Sequence, residues 1–114
     1  MRFTSLLLLA LLLGGCATKS PLYIYRPPDN TGPGWTITAR ANDQALRDVI
    51  HIMINDEEVI EGSLYELKTS DKFTGKYRKY NITADCFLKP DNSIPGRHEC
   101  TVFVDDERAV LLIF

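Results

Sequence analysis

His51 and His98 are the two side chains of this 114-residue chain that are suited to general acid–base catalysis near neutral pH. His51 stands between apolar neighbours, a pattern typical of a hydrogen-bonded histidine in a core or an interface. Glu99 follows His98 directly, but adjacent strand residues point to opposite faces, so this pair would not converge on one substrate. No serine stands in a nucleophile-elbow pattern. The sequence therefore predicts a protein that is not an enzyme.

The charged residues are nearly balanced, with 15 acidic and 13 basic side chains. This balance provides no electrostatic footprint for nucleic acid, and we expect none to bind. Acidic clusters at 56–58 and 105–107 raise the question of calcium. A calcium loop needs staggered oxygen ligands and a glycine at its sharp turn, and neither cluster has that glycine or the length. We expect no calcium.

Seven segments have the β-branched, aromatic or alternating character of strands, with turn-forming residues between them. They are 35–40, 49–54, 58–64, 71–77, 81–88, 97–104 and 109–114. The intervening sequences at 55–57, 78–79 and 105–108 predict three hairpins. Residues 44–48 could form one helical turn, which is too short to be a stable helix unaided.

About seven strands in roughly 80 residues predict an all-β domain over 35–114. We expect a small antiparallel β-sandwich of immunoglobulin-like type, or a small barrel. The strand at 49–54 is apolar on both faces, which predicts a central position. The strand at 110–114 is continuously apolar, and we expect it to be central or tightly covered, because an exposed edge of that kind invites aggregation.

One internal similarity links two of the hairpin segments. Residues 54–60 and 104–110 share the order apolar, Asn or Asp, Asp, Glu, charged, apolar, apolar. Asn and Asp favour the backbone conformations of tight turns, so two similar turns are the simpler interpretation. A duplicated unit is the alternative.

The segment 16–34 is predicted to be a tether. Four prolines and two glycines lie between residues 19 and 34, and such a composition favours extended, semi-rigid backbone. At about 3.1 Å per residue, a tether of this kind could hold the domain up to roughly 50 Å from a membrane. Within it, residues 23–25 could pack on the domain as an edge strand or lie at the lipid interface, and we favour packing.

The segment 72–80 is the most distinctive candidate for a partner surface. It combines cations with aromatic side chains around a predicted turn, a composition suited to an anionic glycan, lipid phosphates or an acidic protein face. A solvated hairpin tip with inward-facing aromatic rings is the simpler alternative. The candidate surface residues are Lys72, Lys76, Tyr77, Arg78, Lys79 and Tyr80.

Residues 1–15 have the order of a secretory signal: one cation, a short leucine-rich core and two glycines. The apolar run is far below the roughly 20 residues of a membrane-spanning helix. Cys16 follows Gly14 and Gly15, so the segment resembles the lipobox of bacterial lipoproteins. The resemblance implies cleavage before Cys16 and lipid, including palmitate, on that cysteine. In a Gram-negative host it also implies sorting to the outer membrane, because Ala17 rather than aspartate follows. We expect the domain to face the periplasm, with exposure at the cell surface as the alternative.

With Cys16 lipidated, Cys86 and Cys100 remain as an even pair. In an oxidising periplasm we expect them to form a disulfide, closing a loop worth roughly 3 kcal/mol. A metal site that also uses His51 and His98 is the alternative, but no second closely spaced ligand pair accompanies 98–100. We expect neither metal nor cofactor.

The sequence thus leaves two classes of function. The first is a non-enzymatic, lipid-anchored envelope protein that binds an envelope protein or glycan as an accessory module. The second is an inhibitor or exclusion factor for an incoming protein, such as a lysozyme or a phage component. Small β lipoproteins that inhibit lysozymes carry a Ser-Gly-x-x-Tyr motif, whereas this chain has Thr74-Gly75-Lys76-Tyr77. Binding to the membrane is expected through the lipid on Cys16.

Overall fold

The computed structural model describes residues 17–29, 32–90 and 96–114. The predicted signal segment and Cys16 lie outside the described residues. The described residues form nine strands and no helix. The strands are β1 Ala17–Lys19, β2 Tyr23–Tyr25, β3 Trp35–Asp43, β4 Arg47–Ile54, β5 Glu57–Tyr65, β6 Ser70–Tyr77, β7 Tyr80–Leu88, β8 His98–Val104 and β9 Glu107–Ile113.

Two antiparallel sheets pack as a sandwich, which confirms the predicted fold class. Sheet A has the order β1-β3-β4-β5. Strand β2 pairs with the same edge of β3 as β1 does, β1 with residues 40–42 and β2 with residues 35–37. Sheet B has the order β6-β7-β8-β9. Strands β3 to β5 and strands β6 to β9 are meanders in which consecutive strands pair, so short turns are enough to connect them.

Strands β3 to β9 match the seven predicted segments within a few residues. The predicted hairpins join β4 to β5, β6 to β7 and β8 to β9. The predicted helical turn is absent: residues 44–46 form a tight connection closed by backbone hydrogen bonds between Gln44 and Arg47. Strand β4 is central in its sheet, as its apolar faces indicated.

The last strand was expected to be central or tightly covered, and it is not central. Strand β9 lies at the edge of sheet B and pairs with β8. Its core-facing residues Leu112 and Phe114 are buried, whereas Leu111 and Ile113 are half-buried on the outer side. Both faces of β9 are therefore at least partly covered. This coverage explains why the strand is continuously apolar although it lies at the edge of the sheet.

The segment 17–25, expected in the tether, belongs largely to sheet A. Ala17 pairs with Asn42 and Tyr25 pairs with Trp35. Between β1 and β2, Ser20 bonds twice to Ala39: its backbone N–H donates to the Ala39 carbonyl oxygen, and its Oγ accepts from the Ala39 N–H, each at 2.8 Å. The preferred interpretation of 23–25 as an edge strand is confirmed, and no extended spacer separates Ala17 from the sandwich.

The core lies between the sheets and follows the alternation of the strands. In β3 every second residue from Trp35 to Ala41 is buried, and β7 repeats this pattern from Tyr80 to Leu88. The side chains that are fully or nearly fully buried are Trp35, Ile37, Ile50, Ile52, Ile54, Ile60, Leu64, Ile82, Val102 and Leu112.

The internal sequence similarity corresponds to equivalent hairpins in the two sheets. Asn55 and Asp56 form the first turn with φ values of 50° and 66°, and Asp105 and Asp106 form the second with 46° and 67°. Positive φ at both central positions is the type I′ pattern, whose twist suits a hairpin. In both hairpins the register shifts at the same distance from the turn, at Ile52/Met53 and at Val102/Phe103.

The equivalence extends beyond the turns. Asn55 accepts a hydrogen bond of 3.0 Å from the backbone N–H of Thr36, and Asp105 accepts one of 2.8 Å from that of Asn81. Thr36 and Asn81 each follow the first residue of the preceding strand, β3 or β7. The two sheets share their strand order, turn type, bulge position and these side-chain contacts. Such agreement favours a duplicated four-strand unit, β2–β5 and β6–β9, over two turns that are similar by coincidence.

The two ends of the sandwich differ in composition. The turn end is formed by the connections 55–56, 78–79 and 105–106. The opposite end contains Ala17, the connection 44–46 and the turn 66–69, because Ala17 pairs with Asn42 and Arg47 pairs with Tyr65.

Candidate functional site

The predicted partner surface lies on the hairpin of β6 and β7, at the turn end. Lys72 and Lys76 are exposed on β6, alternating with less exposed residues as expected for a strand. Arg78 and Lys79 form the turn and are also exposed. The structure therefore presents all four cations of the predicted surface to solvent, two on a strand face and two at the tip.

The two tyrosines of that predicted surface point into the protein. Tyr77 and Tyr80 are 6% and 9% exposed. Their rings pack edge-to-face on Trp35, with centroid distances of 5.0 and 4.9 Å, and Tyr25 packs on the same indole at 5.9 Å. Any partner surface here consists of the cations, while the rings hold the turn in place, as in the inward-facing alternative.

The tyrosine hydroxyl groups reach the rim of the sandwich and connect its loops. They make three side-chain hydrogen bonds: Tyr25 donates to Glu107 (2.8 Å), Tyr80 donates to Asp29 (2.7 Å), and Asn55 donates to Tyr77 (2.9 Å). Tyr25 and Tyr77 thus each bond to the β-turn of the other sheet. The turn end is tied together by side chains from both sheets.

These hydrogen bonds change the acidity of the groups that make them. Burial, followed by the hydrogen bond to Glu107, raises the pKa of Tyr25 to about 12. The hydrogen bond to Asp29 raises the pKa of Tyr80, and the same bond, with help from Lys79, lowers the pKa of Asp29. Tyr25 and Tyr80 are therefore protonated donors and Asp29 is an ionised acceptor at neutral pH.

The cations at the tip are held by local contacts. The Arg78 guanidinium lies over the Tyr77 ring at 5.0 Å, and Lys79 Nζ lies over the Tyr80 ring at 5.4 Å. Lys79 also lies 3.3 Å from Asp29. An open hollow of about 400 Å³ lies between Asp29 and the turn. Because Asp29 already pairs with Lys79, Arg78 is the tip cation better placed for an anionic partner.

Asp29 was not predicted as a member of this site. It is 51 residues from Tyr80 in sequence, and it lies in the proline-rich segment assigned to the tether. Exposed acidic residues also occupy the neighbouring turns, including Asp56 and Asp106. The charge of the turn end is therefore mixed, in contrast to the purely cationic surface that the sequence segment indicated.

His98 lies in a buried hydrogen-bond network between the sheets. Its Nε2 is 2.6 Å from Oδ2 of Asp48, and its Nδ1 donates to the carbonyl oxygen of Phe114 at 2.9 Å. Both His98 and Asp48 are 5% exposed, and the Phe114 ring stacks on the imidazole. Both ring nitrogens are occupied, so this histidine holds the sheets together and has no nitrogen directed at a substrate.

Asp43 extends this network towards the surface. Its side chain hydrogen-bonds to Asp48, and this bond, followed by the repulsion between the two carboxyl groups, raises the pKa of Asp43. Asp43 therefore holds its proton more strongly than a free aspartic acid does, and it donates that proton to Asp48 in the hydrogen bond. The sequence did not indicate this contact, because β3 and β4 must first pair for Asp43 and Asp48 to lie opposite each other.

His51 is buried on the outer side of sheet A by neighbouring side chains. Its Nδ1 hydrogen-bonds to Glu58 Oε1, and Asn42 Nδ2 donates to its Nε2 at 3.3 Å. His51 is 8% exposed. Its predicted role as a satisfied, hydrogen-bonded histidine agrees with this position, and the nitrogen that could act on a substrate is occupied by an amide.

Cys86 and Cys100 form the predicted disulfide. They lie directly opposite each other on β7 and β8, with a Cα–Cα distance of 4.1 Å. Their sulfur atoms are bonded to each other and so are not available to a metal. Among the described residues, no group of three or more His, Cys, Asp or Glu side chains is arranged to hold a metal ion.

The chain enters sheet A at Ala17, the residue bonded to the predicted lipidation site. The described part of the chain contains no helix with the length and hydropathy needed to cross a membrane.

Comparisons of the chain with protein-family models, with curated proteins and with solved structures found no match.

Proposed function

We propose that this protein is a non-enzymatic bacterial lipoprotein, anchored in the outer membrane through Cys16, whose β-sandwich binds a protein partner in the cell envelope. The observation that carries the proposal is the position of Ala17, which follows the lipobox-like segment and is already paired in sheet A. A lipid on the preceding residue would hold a folded domain directly at a membrane surface.

A binding role is supported by the state of the two histidines. His98 bonds to Asp48 and Phe114, and His51 bonds to Glu58 and Asn42. General acid–base catalysis needs a side chain within hydrogen-bond reach of the substrate proton. Both histidines instead use their ring nitrogens within the protein, in positions that stabilise the sheets.

The cationic side of the β6–β7 hairpin is the proposed contact for the partner. Lys72 and Lys76 project from the same face of β6, and Arg78 is exposed at the adjoining tip; these three cations form the cationic row. Electrostatic complementarity of this kind steers association and selects partners with an acidic face. We therefore propose an acidic patch on an envelope protein as the binding site for this row.

The test is a crosslinked pull-down of the full lipidated protein from intact cells. We expect one envelope protein to be recovered with the wild type and lost with Lys72→Glu/Lys76→Glu. Arg40→Glu, a charge change at an exposed position on sheet A, is the matched control and should retain the partner. Recovery with Cys16→Ala should also be lost, because the anchor places the domain beside its partner.

Two other results would contradict the proposal. Equal recovery with the lysine variant and the arginine control would exclude the cationic row as the contact. A soluble chain without lipid that binds a lysozyme or a phage protein tightly by itself would instead establish the inhibitor class of function.

A further inference from the structure

We propose that the end of the sandwich containing Leu46, Tyr65 and Leu67 docks on the lipid bilayer, so that the domain has a fixed orientation on the membrane. These three residues define the docking end. The inference rests on the proposed anchoring through Cys16 and adds the surface that contacts the lipid.

Two of the most exposed apolar side chains lie at this end. Leu46 is 79% exposed and Leu67 is 101% exposed, and Tyr65 beside them is 40% exposed. Leu22 and Ile24, at 60% and 73%, are exposed along the β2 edge, where Ile24 pairs with Thr36 towards the turn end. The two leucines of the docking end instead lie on connections between strands, and the described turns at the other end carry no exposed large apolar side chain. Exposed leucine tips gain free energy when they leave water, and tyrosine is favoured at membrane–water interfaces.

The strand register places the two leucines next to each other. Arg47 pairs with Tyr65 at the end of the β4–β5 ladder. Leu46 precedes Arg47, and Leu67 lies two residues beyond Tyr65, so both leucines project from neighbouring connections at the same end of sheet A. Two tips on adjacent loops can enter a bilayer together without a change of fold.

The position of the predicted lipidation site indicates that the docking end contacts lipid. Ala17 pairs with Asn42, one residue before the end of β3. The connection 44–46, with Leu46 at its tip, begins directly after that strand. A lipidated Cys16, bonded to Ala17, would therefore hold the docking end at the bilayer, where a high effective concentration allows weak apolar contacts to form.

Two ion pairs lie near the docking end. Lys68 lies 3.4 Å from Asp71, and Arg97 lies 2.5 Å from Glu66. Because these charges neutralise each other, we expect contact with the bilayer to depend mainly on the apolar tips.

The experiment places an environment-sensitive fluorophore on the full lipidated protein in phosphatidylethanolamine–phosphatidylglycerol vesicles that contain a brominated lipid. Labels on Leu46→Cys and Leu67→Cys should lose most of their fluorescence. Labels on Asp56→Cys and Asp106→Cys, at the turn end, should lose little. All four positions are exposed. Because Asp56 and Asp106 have φ values of 66° and 67°, circular dichroism first checks that their cysteine variants keep the fold. Equal quenching at both ends would overturn the proposal.

A second arm separates docking from lipidation. The Cys16→Ala chain, with a hexahistidine tag directly before Ala17, is held on vesicles containing a nickel-chelating lipid, and the same labels are measured. Selective quenching at Leu46 and Leu67 on these vesicles supports the docking end, whether or not Cys16 is lipidated. An absence of lipid on Cys16 in the natural protein would overturn only the proposed anchor. Quenching that is no greater at these positions than at Asp56 would overturn the docking end even if Cys16 is lipidated.

Discussion

Ala17 pairs with Asn42 at the edge of sheet A, so the chain is part of the folded domain from the residue that follows Cys16. A proline-rich segment in this position predicted a spacer of up to roughly 50 Å. Pairing of β1 and β2 with β3 removes most of that spacer. A lipid on Cys16 would therefore control both the location of the domain and which of its ends faces the membrane.

The buried pair of Asp48 and His98 is expected to be a major link between the sheets. Asp48→Ala leaves a buried imidazole without its carboxylate partner, and we expect the free energy of unfolding to fall by about 3 kcal/mol. Asp48→Asn keeps an oxygen acceptor and should cost about 1–2 kcal/mol. Denaturant unfolding measures both. Glu61→Ala, at an exposed position on β5, is the control, and a loss no larger for Asp48→Ala than for this control would contradict the assignment.

Asp43 should make stability depend on pH in a direction opposite to that of most carboxylates. Its pKa is raised above the ordinary 3.8 by its hydrogen bond to Asp48 and by their repulsion. The folded protein therefore binds this proton more tightly than the unfolded chain, so the contribution of Asp43 to stability falls as pH rises from its ordinary pKa through the raised value.

Asp43→Asn should remove this dependence. The amide can donate to Asp48 without a charge, so we expect the variant to be more stable by about 0.5 kcal/mol at neutral pH, a small value because Asp43 is exposed and screened by solvent. The advantage should disappear near pH 3, where the carboxyl is protonated in both states. Thermal unfolding at several pH values measures the difference, and an advantage that persists at low pH would contradict the mechanism.

The disulfide is expected to supply a large part of the stability of so small a domain. Cys86 and Cys100 are separated by 14 positions, and a loop of that size corresponds to about 3 kcal/mol in the chain-entropy account. The double variant Cys86→Ala/Cys100→Ala should lose that amount in denaturant unfolding. A reductant should lower the denaturant midpoint of the wild type and leave that of the double variant unchanged. A wild-type midpoint that does not change with reductant would contradict the expectation.

Two glycines on β5 and β6 should differ sharply in their tolerance of a methyl group. A Cβ on Gly75 would overlap the backbone carbonyl oxygen of Val59, whereas one on Gly62 would overlap the ring of Phe73, a side chain that can move. We expect Gly75→Ala to cost about 3 kcal/mol and Gly62→Ala about 1 kcal/mol. Equal losses in thermal unfolding would show that β5 and β6 are not in this close contact.

Most of the sheet structure could be predicted from the sequence, because it is encoded locally. Alternation in 81–88 and β-branched residues in 49–54 predicted β7 and β4, and the Asn-Asp and Asp-Asp turns predicted two hairpins. Strand β1 was missed because three residues beside a proline give no periodic signal. The sequence left β9 as either central or tightly covered, because an apolar sequence does not distinguish a central strand from an edge covered on both faces.

The contacts of the turn end could be predicted only in part. The cations at 72–79 were identified, but Tyr77 and Tyr80 face Trp35, which lies in the other sheet. Asp29 joins the site only after the two sheets have packed. The link between Asp48 and His98 spans 50 positions, and no local pattern connects two residues at such a distance.

Mass spectrometry of the mature amino terminus tests the central claim most directly. The whole chain is expressed in a Gram-negative host, and membrane proteins are extracted with detergent, in parallel with Cys16→Ala. The account predicts a mature chain that begins at Cys16 and carries a diacylglycerol thioether, and the loss of this species from the membrane fraction in the variant. An unmodified Cys16, or a mature terminus at another residue in the aqueous fraction, would contradict it.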